Sequence, residues 1–158
     1  MILHSHIKNN SGHDISVKNL GLRTGIDCCM EQYPAWNHIF FPTLIRCEKT
    51  HLWGYFESPE QKLFAIAVTE PVASYHLEYN KLAGGDFGHR IYTVGLDFLK
   101  HGILPERHPQ ERDRLLANEE LEFNLHIIPA ECIAEIPRVL YTICRLPMVK
   151  AEKYALEP

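Results

Sequence analysis

The sequence predicts an all-β protein, an antiparallel β-sandwich with one C-terminal linker helix. The strongest observation is a hairpin pattern in residues 52–68, where two apolar runs flank the turn sequence Ser-Pro-Glu-Gln. Pro59 presets the backbone angle that such a tight turn requires. Apolar and polar residues also alternate along residues 90–99 and 121–127, the pattern of a half-buried strand. About seven to nine short strands at roughly ten-residue spacing are typical of a β-sandwich.

Further strands are predicted at residues 26–30, 39–47 and 73–80 from the same alternation. Pro42 should place part of the second of these strands at a sheet edge or a bulge, because proline cannot donate a ladder hydrogen bond. Residues 63–68 are apolar at six consecutive positions, so this strand is expected to be covered on both faces.

Near the C-terminus the spacing of apolar residues changes from every second residue to the spacing of a helix. A helix of about ten to fifteen residues is therefore expected within 130–145. Pro137 should kink this helix or open a fresh first turn. We interpret residues 1–146 as one β-sandwich domain, with 1–20 loosely ordered or an edge strand through Ile15 and Val17. Residues 147–158 are interpreted as a linker or the start of a following domain.

The composition narrows the function classes. A formal net charge of −4 over 158 residues argues against nucleic-acid binding, which requires clustered Lys and Arg. No apolar stretch approaches the roughly 18 residues of a membrane-spanning helix, and no signal peptide is recognisable at the N-terminus. A periplasmic or extracellular location follows only if the chain is a segment of an exported enzyme. The five cysteines have no regular spacing, so we expect each of them to be packed in the core as a small buried hydrophobic residue.

Aromatic side chains between residues 33 and 79 form a candidate sugar-binding surface, because flat rings stack on the C–H faces of sugars. Core packing is the competing interpretation for each of them. Trp36 is the preferred candidate, because it lies on a Pro-containing loop beside Asn37 and His38, which can hydrogen-bond hydroxyl groups. The aromatic candidates are Tyr33, Trp36, Trp53, Tyr55, Tyr75 and Tyr79.

A second candidate ligand site flanks a glycine-rich turn at Asp86, His89 and Arg90. The guanidinium group of Arg90 could hold the carboxylate of a uronic acid through two parallel hydrogen bonds. A solvated surface turn is the competing interpretation.

His76 and Glu78 are the only candidate catalytic pair. They lie two residues apart on a predicted strand and therefore share a face. An imidazole and a carboxylate in this arrangement could act as acid and base, as sugar mutarotation requires. A solvated strand face is the competing interpretation.

No metal site and no cofactor are predicted. His4 and His6 form a His-x-His pair with His13 nearby, but no glutamate follows at the spacing that a cupin-type site needs. No two carboxylates are placed by the sequence as a glycosidase pair. Cys28, Cys29 and Cys47 lie in predicted strands rather than at a helix N-terminus, where the pKa of a thiol would be lowered.

Six segments of the sequence share a recognisable pattern, and each is written here with the number of its last residue. They are Gly-Leu-Arg-Thr-Gly-Ile-Asp27, Met-Glu-Gln-Tyr-Pro-Ala-Trp-Asn37, Phe-Phe-Pro-Thr-Leu-Ile-Arg-Cys-Glu48, Leu-Trp-Gly-Tyr-Phe-Glu-Ser-Pro59, Gly-His-Arg-Ile-Tyr92 and Asn-Glu-Glu-Leu-Glu-Phe-Asn-Leu125. Together these phrases resemble the β-sandwich domains, often N-terminal, of large multidomain bacterial glycoside hydrolases. The resemblance spans most of residues 20–146. It implies a domain that packs against a separate catalytic domain and can lend a loop to the sugar pocket.

Three functions are therefore carried forward. The first is a non-catalytic module of a carbohydrate-processing enzyme, with a catalytic domain as partner and glycan as a candidate ligand. The second is a self-sufficient sugar mutarotase or epimerase that uses His76 and Glu78. The third is a homo-oligomeric interaction module that covers its edge strands by self-pairing.

Overall fold

The structure is a computed structural model that describes residues 1–28, 40–81 and 90–147. Within these residues the chain forms antiparallel sheets followed by one short helix, which confirms the all-β class with a single C-terminal helix. The strands are β1 (Ile2–Lys8), β2 (Ile15–Ser16), β3 (Asn19–Cys28), β4 (Phe41–Cys47), β5 (Leu52–Glu57), β6 (Leu63–Val68), β7 (Ser74–Lys81), β8 (Arg90–Lys100), β9 (Arg114–Leu115) and β10 (Glu120–Ala130). A 3₁₀ turn at Ile133–Glu135 leads into the helix α1 (Ile136–Cys144).

Two sheets share one apolar core. The larger has five strands in the order β1-β10-β6-β5-β4, and the smaller has three in the order β3-β8-β7. Phe98 of β8 stacks on Phe123 of β10 with ring centroids 4.0 Å apart, so the central strand of one sheet touches an inner strand of the other. The hydroxyl of Tyr75 on β7 donates to the carbonyl of Ile45 on β4 at 3.0 Å. The sandwich arrangement itself stays a prediction.

The predicted hairpin is confirmed as β5 and β6, which pair from Leu52 opposite Val68 to Glu57 opposite Leu63. Residues 58–61 between the two strands form the tight turn that Pro59 predicts. The amide of Gln61 donates to the carbonyl of Ser58 at 2.8 Å, and Gln61 adopts a left-handed φ of 63°. A type I turn followed by one left-handed residue is a common hairpin connection, because it matches the twist of the strands.

Strand β6 is covered on both faces, as its continuous apolar run predicts. Phe64, Ile66 and Val68 belong to or pack against the core between the sheets. The two small residues between them, Ala65 and Ala67, are fully buried on the opposite face beneath α1. Alanine at these two positions lets a helix approach the sheet closely.

The C-terminal helix begins where Pro137 predicts a fresh first turn. Proline lies in the first turn of α1, where its missing amide proton has no helical partner. Ile136, Leu140 and Cys144, at i, i+4 and i+8, are the buried residues of the helix. The helix ends at Arg145, which has a left-handed φ of 57° and donates its amide to the carbonyl of Tyr141.

The edges of the five-stranded sheet confirm one prediction and correct another. Strand β4 is an edge strand, and its register shifts between Pro42 and Leu44, as Pro42 predicts. At the N-terminus the long edge strand is β1, paired with β10, whereas the predicted edge strand through Ile15 is only the two-residue β2. Strand β1 was missed because its half-buried positions include Ser5 between Leu3 and Ile7, which weakens the apolar signal.

The remaining strand predictions are confirmed, β3, β8 and β10 with longer bounds and β7 with bounds shifted by one residue. Strand β3 begins seven residues before the predicted residue 26, because it pairs with β8 along its whole length. The part of the prediction beyond residue 28 lies outside the described residues. None of the helices in the described ranges is long and apolar enough to cross a membrane.

We expect Gln61→Gly to stabilise the protein by about 0.5 kcal/mol. A left-handed conformation costs a non-glycine residue roughly 1–2 kcal/mol, and the greater backbone entropy of unfolded glycine offsets only part of that relief. Urea unfolding followed by circular dichroism measures the change. Glu60→Gly in the same turn is the control, because Glu60 is not among the residues with positive φ and glycine should destabilise there. Equal effects of both substitutions would contradict the turn geometry.

Candidate functional site

A buried carboxylate lies at the centre of the three-stranded sheet. Asp97 on β8 has a side chain that is 1% exposed. Ser74 Oγ donates to its Oδ2 at 2.6 Å, and Asn19 Nδ2 donates to its Oδ1 at 3.0 Å. Lys100 Nζ donates to Oδ2 at 2.9 Å and to Ser74 Oγ at 3.2 Å. Together with His76, these residues are called the Asp97 cluster.

A β-bulge brings Lys100 to the face that Asp97 occupies. Along a regular strand, residues three apart point to opposite faces. In β8, however, Asp97 pairs with Gly21 while Leu99 pairs with Leu20, so one extra residue is inserted between them. The bulge reverses the alternation, and Lys100 then pairs with Asn19.

The imidazole ring of His76 lies over Gly95 of the neighbouring strand. A β-carbon at Gly95 would stand 2.0 Å from His76 Cε1, so only glycine leaves room for the ring in this position. His76 Nδ1 lies 3.1 Å from Oδ1 of Asp97. The carboxylate therefore orients the ring through Nδ1 and leaves Nε2 as its remaining polar atom.

Glu78 continues the polar row beyond His76. Its Oε1 lies 3.4 Å from His76 Nε2 and 3.7 Å from Arg23 Nη2 on β3. His76 Nε2 is closed off from solvent and has no hydrogen-bond partner. The predicted pair thus shares a face as expected, but the nitrogen that would exchange a proton with a substrate is buried in this arrangement.

The Asp97 carboxylate is stabilised in its charged form. Burial alone raises its pKa, because a charge is costly in a medium of low polarity. The hydrogen bonds from Lys100, Ser74 and Asn19, with the positive charge of Lys100, outweigh burial and hold the pKa of Asp97 below its ordinary value.

A shallow groove of about 530 Å³ lies beside the cluster. One wall is β7 from Ser74 to Leu77, and the other is the segment that follows β8. The side chain of His76 is 24% exposed and that of Lys100 is 33% exposed. The groove also includes Arg107 and His108.

A larger open groove of about 820 Å³ lies on the other side of the same segment. Leu99, Leu116 and Leu121 line it together with charged groups of both signs. Within it His101 Nδ1 lies 2.8 Å from Asp113 Oδ2, so these two polar groups already have each other as partners.

Most of the predicted ligand-binding residues lie outside the described residues. Tyr33, Trp36, Asn37, Asp86 and His89 are among them. A further candidate, Arg90, begins β8, where its backbone pairs with Lys81 and Cys28. Their proposed roles therefore stay predictions.

The described aromatic candidates take part in packing. Trp53 and Tyr55 pack against the apolar cluster beneath α1, and Tyr75 packs against the core between the sheets. This is the competing interpretation that the sequence left open. Trp53 is only partly buried, although it lies on the face of the sheet that α1 covers.

The two N-terminal histidines contact neighbouring strand residues rather than each other. His4 Nδ1 bonds the amide oxygen of Asn124, and His6 Nε2 lies 3.4 Å from Glu120 Oε2. Over residues 1–28, 40–81 and 90–147, no group of three His, Cys, Asp or Glu side chains is arranged to hold a metal ion.

The cysteine prediction holds for two of the three cysteines whose side chains are described. Cys47 and Cys144 are buried, whereas Cys132 is exposed, so the prediction is wrong for Cys132. Burial, with a smaller contribution from Glu48, raises the pKa of Cys47 to about 11. Such a thiol is a poor nucleophile at neutral pH.

Sequence reasoning missed the central residue of the cluster. The alternation in residues 90–99 assigned Asp97 to the outward-facing side of a half-buried strand, but this residue is nearly inaccessible to solvent. The available signal was the pair Gly95 and Asp97 beside the predicted His76, because a glycine in a strand marks close approach of another group. Ser74, Lys100 and Asn19 gave no local signal, since they meet only through strand pairing and the bulge.

Comparison of the chain with protein-family models, curated proteins and solved structures finds no match. The resemblance to glycoside hydrolase sandwich domains therefore rests on the quoted sequence phrases alone.

We expect Asp97→Asn to lower the free energy of unfolding by about 2–3 kcal/mol at pH 7, because it leaves the Lys100 ammonium group without its counter-charge. The folded-state pKa of Asp97 is depressed, so its contribution is present above the unfolded value of about 3.9 and is lost as pH falls through the folded pKa. The difference between wild type and variant should therefore shrink below about pH 4.

Urea unfolding at a series of pH values checks this. Asp113→Asn is the control, because Asp113 forms an exposed pair with His101, and such pairs contribute little. A difference between wild type and Asp97→Asn that stays constant from pH 7 to pH 3 would contradict the ionised carboxylate.

Proposed function

We propose that this chain is a non-catalytic β-sandwich module of a carbohydrate-processing enzyme that scaffolds a catalytic domain. Five of the six phrases that carry the family resemblance overlap strands, namely β3, β4, β5, β8 and β10, and the sixth, residues 30–37, lies outside the described residues. A set of motifs that lies in strands is typical of a shared structural unit rather than of a transplanted catalytic loop.

One observation carries the non-catalytic part of the proposal. His76 Nδ1 contacts the Asp97 carboxylate, and His76 Nε2 is buried without a hydrogen-bond partner. Asp97 accepts hydrogen bonds from three side chains and is 1% exposed. A general acid or base must come within hydrogen-bonding distance of its substrate, and these groups stabilise the sheet instead.

The outer side of α1 supports the scaffolding part. Ile133, Tyr141 and Ile143 are 48%, 58% and 50% exposed on and next to this nine-residue helix. Single exposed apolar residues need no explanation, but two on this helix and a third in the turn before it favour contact with another domain. In the proposal these side chains are buried against the catalytic domain of the parent enzyme.

The test is association between this chain and the catalytic domain encoded with it, measured by sedimentation or calorimetry. We expect a complex that Tyr141→Asp combined with Ile143→Asp weakens at least about tenfold, which corresponds to about 1.4 kcal/mol. Lys18→Asp, just before β3, is the control, because it adjoins the three-stranded sheet whereas α1 packs on the five-stranded sheet, so affinity should be unchanged. An absent complex, or equal effects of the helix substitutions and Lys18→Asp, would contradict scaffolding through α1.

A proton-transfer enzyme is the second candidate, favoured by one observation. His76 and Glu78 converge with a third polar group, Asp97, beside a groove. In that arrangement Asp97 would orient the imidazole, and a small movement would have to expose Nε2 to a sugar ring oxygen. This function predicts faster mutarotation of simple aldoses, followed by polarimetry, and its loss in His76→Ala. An inert wild-type protein would end this candidate and leave the scaffolding proposal intact.

A further inference from the structure

We propose that the groove beside Lys100, formed by β7 and the segment after β8, binds the anionic group of an acidic saccharide. The carboxylate of a uronic acid and a sulfate ester share the chemistry in question. The inference rests on the proposed carbohydrate function and names the ligand class of the module.

The charge of the groove differs from that of the whole protein. The chain carries a formal net charge of −4, yet the described residues that line this groove include no Asp or Glu. Two of the side chains that line it are cationic, Lys100 and Arg107. Three more are imidazoles, His76, His101 and His108, of which His101 is already paired with Asp113. A local excess of positive charge in an acidic protein favours an anionic ligand.

Lys100 is held in place before any ligand arrives. Its ammonium group uses two donors, on Asp97 and Ser74, and an ammonium group has three. The third donor is left for a ligand, on a side chain that is 33% exposed and lines the groove. Because the bulge in β8 and the two bonds already order this side chain, binding costs little further conformational entropy.

Arg107 adds a second cation to the groove, and His108 adds an imidazole ring of fixed orientation. His108 is buried, and its Nδ1 lies 3.1 Å from the carbonyl oxygen of Ala73. A carbonyl oxygen only accepts, so Nδ1 carries a proton and the ring is fixed in orientation. Arg107 is exposed, and its planar guanidinium group suits two parallel hydrogen bonds to a carboxylate or sulfate.

The nearby carboxylates do not cancel this site. Asp97 lies below the groove with both oxygens accepting hydrogen bonds and 1% of its side chain exposed. Glu78 lies next to His76, but its carboxylate is within 3.7 Å of Arg23 and is not part of the groove lining. The volume of about 530 Å³ is enough for one or two sugar rings, and its shallow form implies weak binding.

The test is a nuclear magnetic resonance titration of the whole chain with three probes at constant ionic strength. The probes are a galacturonate trimer, a sulfated galactose trimer and an unmodified galactose trimer. We expect one or both acidic trimers to shift the backbone signals of residues 100–108 with a Kd in the millimolar range, and the neutral trimer to leave them unchanged. The two acidic arms decide between carboxylate and sulfate ester.

Arg107→Gln should raise the Kd of the acidic trimer about five- to tenfold, as the loss of one charge-assisted pair predicts. Arg138→Gln is the matched control, because Arg138 is an exposed arginine on α1, on the far side of the five-stranded sheet. Inorganic sulfate is added as a fourth probe.

Equal binding of neutral and acidic trimers would overturn the inference, as would equal effects of the two arginine substitutions. Binding of inorganic sulfate without either acidic trimer would also overturn it, because the groove would then hold free anions. No shift with any probe would overturn the inference and leave the scaffolding function standing, since association through α1 is measured separately. Loss of that association with retained acidic-trimer binding would overturn scaffolding alone.

Discussion

The burial of one ionised carboxylate is the constraint on which the three-stranded sheet depends. A charge at the position of Asp97 is acceptable only if several donors surround it. Three strands supply them: Asn19 from β3, Ser74 from β7 and Lys100 from β8 itself. The carboxylate therefore specifies how the strands are aligned, because a register slip of one residue would turn Ser74 or Asn19 to the opposite face.

The same constraint explains two backbone features that otherwise appear irregular. The bulge near Phe98 is needed to bring Lys100 to the carboxylate, and Gly95 is needed to leave space for the ring of His76. These features also shape the groove, since His76 and Lys100 line it while Asp97 lies beneath. In the proposed saccharide site, His76 and Lys100 thus both help to align the sheet and line the groove that receives the ligand.

The five-stranded sheet follows a simpler logic, and the sequence anticipated most of it. The alternating and continuous apolar runs predicted β5, β6 and β10, and Pro42 marked the edge strand β4. The helical spacing near Pro137 predicted α1. These predictions succeeded because periodicity reports which face of an element is buried. Strand β1 was missed because Ser5, at a half-buried position between Leu3 and Ile7, weakens the apolar alternation.

The sequence by itself determined the all-β class, the hairpin turn, the double-sided burial of β6 and the common face of His76 and Glu78. Each of these follows from residues that are close together along the chain, where backbone geometry decides the outcome. Only the tertiary structure decided that Asp97 is buried, that Lys100 turns toward it and that Asn19, Ser74 and His76 join it. Their meeting depends on the pairing of β3, β7 and β8 and on one inserted residue, and neither leaves a local pattern in the sequence.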